Sequence, residues 1–312
     1  MLPETVDTIL SAVRSTWAMA NDIEITLEAN PTSIESSRFA GYRMAGVNRI
    51  SMGAQALNDA DLKALGRLHT AREAMDAFEI AHKHFERVSF DLIYARQNQS
   101  LADWRAELTQ AMGLAIDHLS LYQLTIEDGT AFGDRYAIGK LRGLPNEDLA
   151  ADMYDVTQDV CEAHGMPAYE VSNHAKSGAE SIHNLIYWNY GDYIGIGPGA
   201  HGRVTINGQK FATEAPKSPG LWKNQVETRG HGESDRTALS KDSQLTECLL
   251  MGLRLREGIP WDRLHPLGIE HFRNNINDLM EIDMLESDEQ SLRVTAQGRP
   301  VLNAVLNKLL NG

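Results

Sequence analysis

Apolar positions in the first half of this chain follow two rhythms in turn. Ile9, Leu10, Val13 and Trp17 recur at helical spacing behind Pro3, so residues 3–18 predict a helix. Four rounds of strand then helix follow. IEITLE (23–28) is a β-branched strand broken by Asn30-Pro31, after which Thr32 or Ser33 caps a helix that stops at Gly46. VNRISMG (47–53) is the second strand. The helical region behind it runs to His84, and Thr70 and Glu73 open its second part as a capping box. RVSFDLIYA (87–95) reads as an almost continuous apolar run, as in strands buried on both faces. Ser100 caps a helix to about Gly113, and HLSLYQLTIE (118–127) is the fourth strand.

Connections of this length between strands imply parallel pairing in right-handed βαβ units. Glu28, Gln55 and Asp91 fall at or just beyond the carboxyl ends of the first three strands, and Tyr122 and Gln123 lie late in the fourth. In parallel sheets that edge carries the site. GTAFGDRYAIGKLRGLP (129–145) reads as an exposed loop or flap. Asn146 caps a helix to His164, and MPAYEVS (166–172) predicts a strand. From about Phe211 the pattern changes. APKSPG (215–220) is linker-like, Ser243–Arg256 is helical, and Leu264–Leu279 holds two short helices. A hairpin over 284–295 turns at Asp288-Glu289, and a closing helix spans Ala296–Leu310. The expected organisation is therefore 1–210, a linker over 211–242, and a small winged-helix-like α+β domain over 243–312.

The formal net charge is -14. Residues 241–312 carry eight Lys and Arg against eleven Asp and Glu, so nucleic acid is not the expected partner of the wing. No apolar run is long enough to span a bilayer, and MLPETVDTIL lacks the basic start and apolar core of a signal peptide, which makes cytoplasm the default. Cys161 and Cys248 lie in separate helical stretches without zinc-type or cluster-type spacing, and are expected to be free thiols.

The densest chemistry lies in Tyr169–His201. This stretch holds His174, His183 and His201, five Tyr or Trp residues, and a glycine run at Gly195, Gly197 and Gly199. Imidazoles, flat rings and close backbone approach suit a large planar ligand or a metal, while loop packing is the plainer alternative.

EITLEANP (24–31), NRISMGAQ (48–55), LGRLH (65–69), DLIYA (91–95), HLSLYQLTIEDGT (118–130), YEVSNHA (169–175), HNLIYW (183–188) and GIGPGAH (195–201) occur in one order. Together they resemble the HemW family, relatives of oxygen-independent coproporphyrinogen III oxidase in the radical SAM superfamily. The resemblance extends to MGLRLREGI (251–259) and RVTAQG (293–298). It implies a partial parallel (β/α) barrel with S-adenosylmethionine (SAM) across its open edge. By position it assigns Glu28 and Gln55 to the nucleoside and ribose, Arg67 to the methionine carboxylate, Asp91 to the ribose, and Tyr122-Gln123 to the border of adenine. It ties His183, Asn184, Tyr187 and Trp188 to haem, with His174 a further candidate and His201 a weaker one.

The family also carries a C-x-x-x-C-x-x-C loop that holds a [4Fe–4S] cluster, and a G-G-G-T-P loop that receives the SAM amino group. Neither is present, so an N-terminally truncated barrel is expected, with the strand at Ile23–Glu28 as a bare edge. The expected function is a haem chaperone that binds haem and SAM and delivers haem to acceptor haemoproteins. The alternatives are SAM-dependent decarboxylation of coproporphyrinogen III, which the chain as it stands is not expected to perform without the cluster cysteines, and a degenerate binding module.

Overall fold

A computed structural model describes residues 1–31 and 36–312, so the expected cap at Thr32 or Ser33 lies outside the described residues. The chain forms two compact units, Met1–Glu180 and Ser181–Gly312.

The first unit runs α1 (Pro3–Thr16), β1 (Thr26–Ala29), α2 (Ser36–Ala45), β2 (Arg49–Gln55), α3 (Asp59–Ala64), α4 (Ala71–His84), β3 (Arg87–Tyr94), α5 (Leu101–Leu114), β4 (His118–Gln123), α6 (Ala131–Ala137), α7 (Glu147–Ala163) and β5 (Asn173–Ala175). Its sheet has the order β1-β2-β3-β4-β5. The first four strands are parallel, β5 is antiparallel to β4, and the sheet does not close on itself. Among the described residues β1 pairs with β2 only.

Local signals behave as the sequence implies at several helix starts. Thr70 and Ser100 each form a full capping box, with Glu73 and Asp103, and Asn146 caps α7 through the Leu149 N–H. Two expectations are corrected. The segment 129–145 is not all loop, because Thr130 accepts the Gly133 N–H and starts α6. Residues 166–172 are mostly turn, and the strand begins at Asn173; Glu170 accepts the Ser172 N–H and bends the chain there.

Strand register sorts the sheet into two unlike faces. Leu27, Ile50, Met52, Val88, Phe90, Leu92, Leu119 and Leu121 share the face that packs on the helices. Phe78 meets Phe90 edge-on at 5.1 Å, and Trp104 stacks on Tyr94 at the same separation. The other face carries Thr26 and Glu28, Arg49 and Ser51, Arg87, Ser89 and Asp91, His118, Ser120 and Tyr122, and Asn173. β3 is thus two-faced rather than apolar throughout. Its serine is buried, but it sits in the same alternating row as Arg87 and Asp91.

The second unit begins with α8 (Ile182–Trp188), followed by β6 (His201–Ile206), β7 (Gln209–Glu214), α9 (Pro219–Arg229) and β8 (Asp235–Ala238). Strands β6-β7-β8 form an antiparallel sheet, so the stretch 211–242 expected as linker carries regular structure. Then come α10 (Lys241–Gly252), β9 (Ile259–Pro260), α11 (Trp261–Leu264), α12 (Arg273–Glu281), β10 (Leu285–Ser287), β11 (Ser291–Val294) and α13 (Leu302–Asn311). The sheet order β10-β11-β9 beside these helices gives the expected wing, whose turn is tied by Asp288 accepting the Gln290 and Ser291 N–H groups. No described helix is long and apolar enough to cross a membrane.

Candidate functional site

The polar face of the five-stranded sheet is held by side chains bonding across strands. Arg49 is almost wholly buried and donates to Ser89 Oγ at 3.0 Å and Thr26 Oγ1 at 3.5 Å. Ser89 donates to Ser51 Oγ at 3.3 Å, and Ser51 donates to Asp91 Oδ1 at 3.4 Å. Ser120 donates to Asn173 Oδ1 at 2.8 Å, and Asn173 Nδ2 donates to Glu170 at 2.7 Å. Lower on this face His118 shares a 3.0 Å hydrogen bond with the Tyr169 hydroxyl. Burial and the charges of Arg49 and Arg87 hold the His118 pKa well below the usual histidine range.

Asp91 is the titratable centre of this face. Burial, aided by the Glu28 charge, raises its pKa to about 6, while the Ser120 hydrogen bond, the Arg49 charge and the Ser51 hydrogen bond pull the other way. Tyr122 is raised as well, by burial and then by the Asp91 and Glu28 charges. Glu28, Asp91 and Tyr122 therefore stand in one another's field; Glu28 and Tyr122 lie near the ends of β1 and β4, whereas Asp91, expected at the end of β3, lies in its middle with three strand residues after it. Gln55 ends β2 with φ 72, a left-handed conformation rare outside glycine, where the pairing of β2 with β3 shifts register. A Cβ at Gly53 would come within 2.8 Å of Gln55 Nε2, so glycine there leaves room for the amide. Gln123 is exposed at the end of β4, and Arg67 is exposed on the loop between α3 and α4. Sequence reasoning found the strand-end groups and missed Arg49, Ser51, Ser89, Ser120, Glu170 and Asn173. The alternation R-I-S, R-V-S-F-D and H-L-S-L-Y was the signal for most of them.

A separate cavity of about 610 Å³ opens by α3 and α5, lined by polar residues including Asn58, Asp61, Gln99 and Glu107. None of the expected site residues lines it. It borders Arg96, whose buried guanidinium bonds both Asp61 and Glu107.

The HNLIYW stretch is α8 of the second unit. Its carboxyl end is pinned. Arg254 lies 4.5 Å over the Trp188 ring, and Arg263 donates to Asn189 O at 2.8 Å. Just beyond, Tyr190 donates to Glu247 at 2.7 Å, and Arg203 makes a two-pronged pair with the same carboxylate at 2.9 and 2.8 Å. Burial would raise the Glu247 pKa, but the Arg203 and Tyr190 hydrogen bonds outweigh it and the net shift is downward. Trp188 thereby faces a crevice lined by Cys248, Leu255 and Ile259.

The amino end of α8 joins a fully buried Ser181 to an exposed Ile182. His183 is half-buried, and its Nδ1 lies 3.0 Å from the hydroxyl of the buried Ser181. Its ring meets Tyr187 edge-on at 6.5 Å, and Tyr187 meets Tyr193 edge-on at 4.5 Å. Asn184 is half-buried one position on. Ile182, Ile186, Ile194 and Ile196 are exposed, the last by 74%. Gly195 passes the His201 backbone so closely that a Cβ would fall 2.0 Å from the His201 carbonyl oxygen. His201 itself is exposed at the start of β6, 3.8 Å from Glu214.

His174 belongs elsewhere. It lies in β5 of the first unit, in register with Leu119 on the helix-packed face. Its ring is fully buried and neither nitrogen has a hydrogen-bond partner of normal geometry among the described residues. Burial takes its pKa down to about 4, against a weaker upward pull from the Ser172 backbone. His174 and α8 thus belong to different units of the chain.

Residues 1–109 match the radical SAM superfamily model, and residues 239–301 match the HemN C-terminal domain model. Radical S-adenosyl methionine domain-containing protein 1, mitochondrial, of Bos taurus is 39% identical over 99% of this chain and 72% of its own length. Heme chaperone HemW of Haemophilus influenzae is 33% identical over 98% of this chain and 79% of its own. The chain belongs to the HemW family of radical SAM proteins. Heme chaperone HemW of Escherichia coli is 42% identical over 69% of this chain. Coproporphyrinogen III oxidase (HemN) from Escherichia coli shares the fold, with a TM-score of 0.80 at 18% identity over 100% of this chain and 75% of that one.

A cluster is the family feature that these residues do not fit. Cys161 and Cys248 are buried, lie in different units, and burial pushes their thiols up to about 12 and about 11. Among the described residues no group of three His, Cys, Asp or Glu is arranged to hold a metal.

Proposed function

We propose that this protein is a haem chaperone that takes haem as cargo beside His183 on α8 and binds SAM along the sheet edge. The observation that carries the haem reading is the arrangement at His183. The buried Ser181 hydroxyl lies 3.0 Å from His183 Nδ1 and 3.5 Å from Nε2, with Nδ1 the nearer partner, and exposed isoleucines and the Tyr187–Tyr193 pair flank the helix. Imidazole ligates haem iron, and a hydrogen bond on the other ring nitrogen fixes the tautomer and ring orientation. Asn184 and Tyr187 lie on the same short helix and supply polar and aromatic contacts. Relatives at 33–42% identity carry the name heme chaperone, which supports delivery to acceptor haemoproteins as the destination.

SAM is proposed to lie against Glu28, Gln55, Asp91, Tyr122 and Gln123, with Arg67 meeting its carboxylate. The residues fit the molecule chemically. Carboxylate and amide groups accept and donate to ribose hydroxyls, and a guanidinium pairs with a carboxylate. When bound, SAM brings a sulfonium centre; the residues here bind and orient it.

Haem titration of the purified chain tests the first part. Wild-type protein is expected to develop a Soret band that His183→Ala weakens with at least a tenfold loss of affinity. An unchanged band and affinity would remove His183 from the ligand set.

A further inference from the structure

The Tyr193 ring meets Tyr187 edge-on at 4.5 Å, and Tyr187 meets His183 at 6.5 Å. Tyr193 lies outside α8, on the segment that leads to β6, so the helix alone does not set its place. Its backbone is tied to β6. The Tyr193 N–H donates to Arg203 O at 2.7 Å, and the Arg203 N–H donates to Tyr193 O at 2.9 Å, in an isolated antiparallel bridge. Tyr193 therefore stays where Arg203 is held.

Arg203 is held by α10. Its Nε donates to Glu247 Oε2 at 2.9 Å and its Nη2 to Oε1 at 2.8 Å, and both side chains are largely buried. The Tyr190 hydroxyl donates to the same Oε2 at 2.7 Å. Glu247 thus grips the chain on both sides of Tyr193. Tyr190 has φ 53, a left-handed bend, and Lys210 of β7 secures it by donating to Tyr190 O at 2.8 Å and lying 4.1 Å over the ring. A carboxylate is what this junction demands. The Arg203 fork needs two acceptor oxygens, and a glutamine would offer one and turn its NH2 on a guanidinium or hydroxyl donor.

We propose that Glu247 is a positioning residue for the haem site: by clamping Arg203 and Tyr190 it fixes the Tyr193 ring against Tyr187, and Tyr187 beside His183. Its functional weight rests on the reading of His183 and Tyr187 as haem contacts. Ser181 holds the imidazole by a hydrogen bond, and the two tyrosines hold it by packing. The clamp reaches the ligand only through the Tyr193 ring, which makes its effect separable from a general loss of stability.

Two readouts in the full chain test this. Aromatic NMR without haem follows the Tyr187–Tyr193 cross-peaks, and Soret titration measures haem affinity. Glu247→Gln is expected to lose the cross-peaks and to weaken haem binding about tenfold, as loss of an outer-shell partner does. The double variant Glu247→Gln/Tyr193→Leu is expected to bind haem no more weakly than Tyr193→Leu alone, because one acts through the other. Arg263→Ala is the control. It cuts a different tether at the carboxyl end of α8, the exposed bond to Asn189, and haem affinity is expected to stay within about threefold. Additive losses in the double variant overturn the proposal, and so do cross-peaks that persist in Glu247→Gln. A loss in Arg263→Ala equal to that in Glu247→Gln overturns it too, since any loosening of the helix end would then suffice. If Glu247→Gln does not fold, Arg203→Lys, which keeps the charge and loses the fork, takes its place in the same cycle with Tyr193→Leu. Wild-type protein that binds no haem while Glu247→Gln still loses the cross-peaks would overturn the haem reading and support the clamp.

Discussion

The polar sheet face and the α8 stretch both gather polar and aromatic groups, but they hold them in opposite ways. On the sheet, Arg49, Ser89, Ser120, Asn173 and Glu170 are buried and bonded to one another across strands. On α8, His183 and Asn184 are half-buried while isoleucines face solvent around them. The first arrangement fixes donors and acceptors in advance, which suits a small polar molecule read by hydrogen bonds. The second leaves apolar area unpaired beside one oriented imidazole, which suits a flat, largely apolar cargo that must also leave.

His174 gives the largest way to break this comparison, since its sequence neighbourhood ties it to haem and its burial ties it to the sheet. Its folded pKa of about 4 lies below the ordinary histidine value, so the unfolded chain takes up a proton first. Stability is therefore full above about pH 6.5 and falls as pH drops toward 4, by on the order of 3 kcal/mol. Urea unfolding at pH 7 and pH 4.5 is expected to show this loss, and His174→Phe is expected to flatten it without changing haem affinity. A tenfold haem loss in His174→Phe would instead join the buried ring to the α8 site.

Asp91 comes next and tests whether the sheet face is built for binding rather than stability. Burial raises its pKa to about 6, so the ionised form is disfavoured in the folded state. The penalty is present above that pH and absent once the carboxyl is protonated in both states at low pH. At pH 7.5 Asp91→Asn is expected to raise stability by on the order of 2 kcal/mol and to weaken SAM binding about 100-fold. Thermal unfolding and calorimetry read the two effects separately, and a destabilised variant with unchanged affinity would mark Asp91 as structural. On α8 the matching change is smaller. Ser181→Ala, which removes the partner of His183 Nδ1, is expected to lower haem affinity about tenfold or less, as loss of an outer-shell partner does.

The order of strands and helices was legible because strand–helix alternation, caps at Thr70, Ser100 and Asn146, and glycine stops act locally. So was the edge carrying Glu28, Gln55 and Asp91, since parallel topology alone directs strand ends to one side. The polar interior of the sheet was harder to see. Ser89 and Ser51 look neutral in an apolar run, and only register shows that they share a face with Arg49 and Asp91. The direction of β5 was hidden for another reason. A buried carboxylate three residues upstream turns the chain, and nothing in YEVSN marks Glu170 as buried. On α8 the motif was visible as a unit, yet its helical geometry divides it, turning Trp188 away toward α10.

That division leads to the smallest expected effect. Trp188 packs under Arg254, beside Cys248 and Leu255, and its indole N–H is buried without a hydrogen-bond partner among the described residues. A residue so placed contributes packing, and its lone donor adds nothing that phenylalanine lacks. Trp188→Phe is therefore expected to destabilise the chain by about 1 kcal/mol through lost volume and a weaker cation–π contact. Haem affinity should change by less than about threefold, because His183 stands near the opposite end of the helix. Parallel unfolding and Soret titrations check both quantities. A haem loss in Trp188→Phe as large as that in His183→Ala, with stability unchanged, would mean that the whole HNLIYW stretch acts on the ligand and that its pinned end is part of the site.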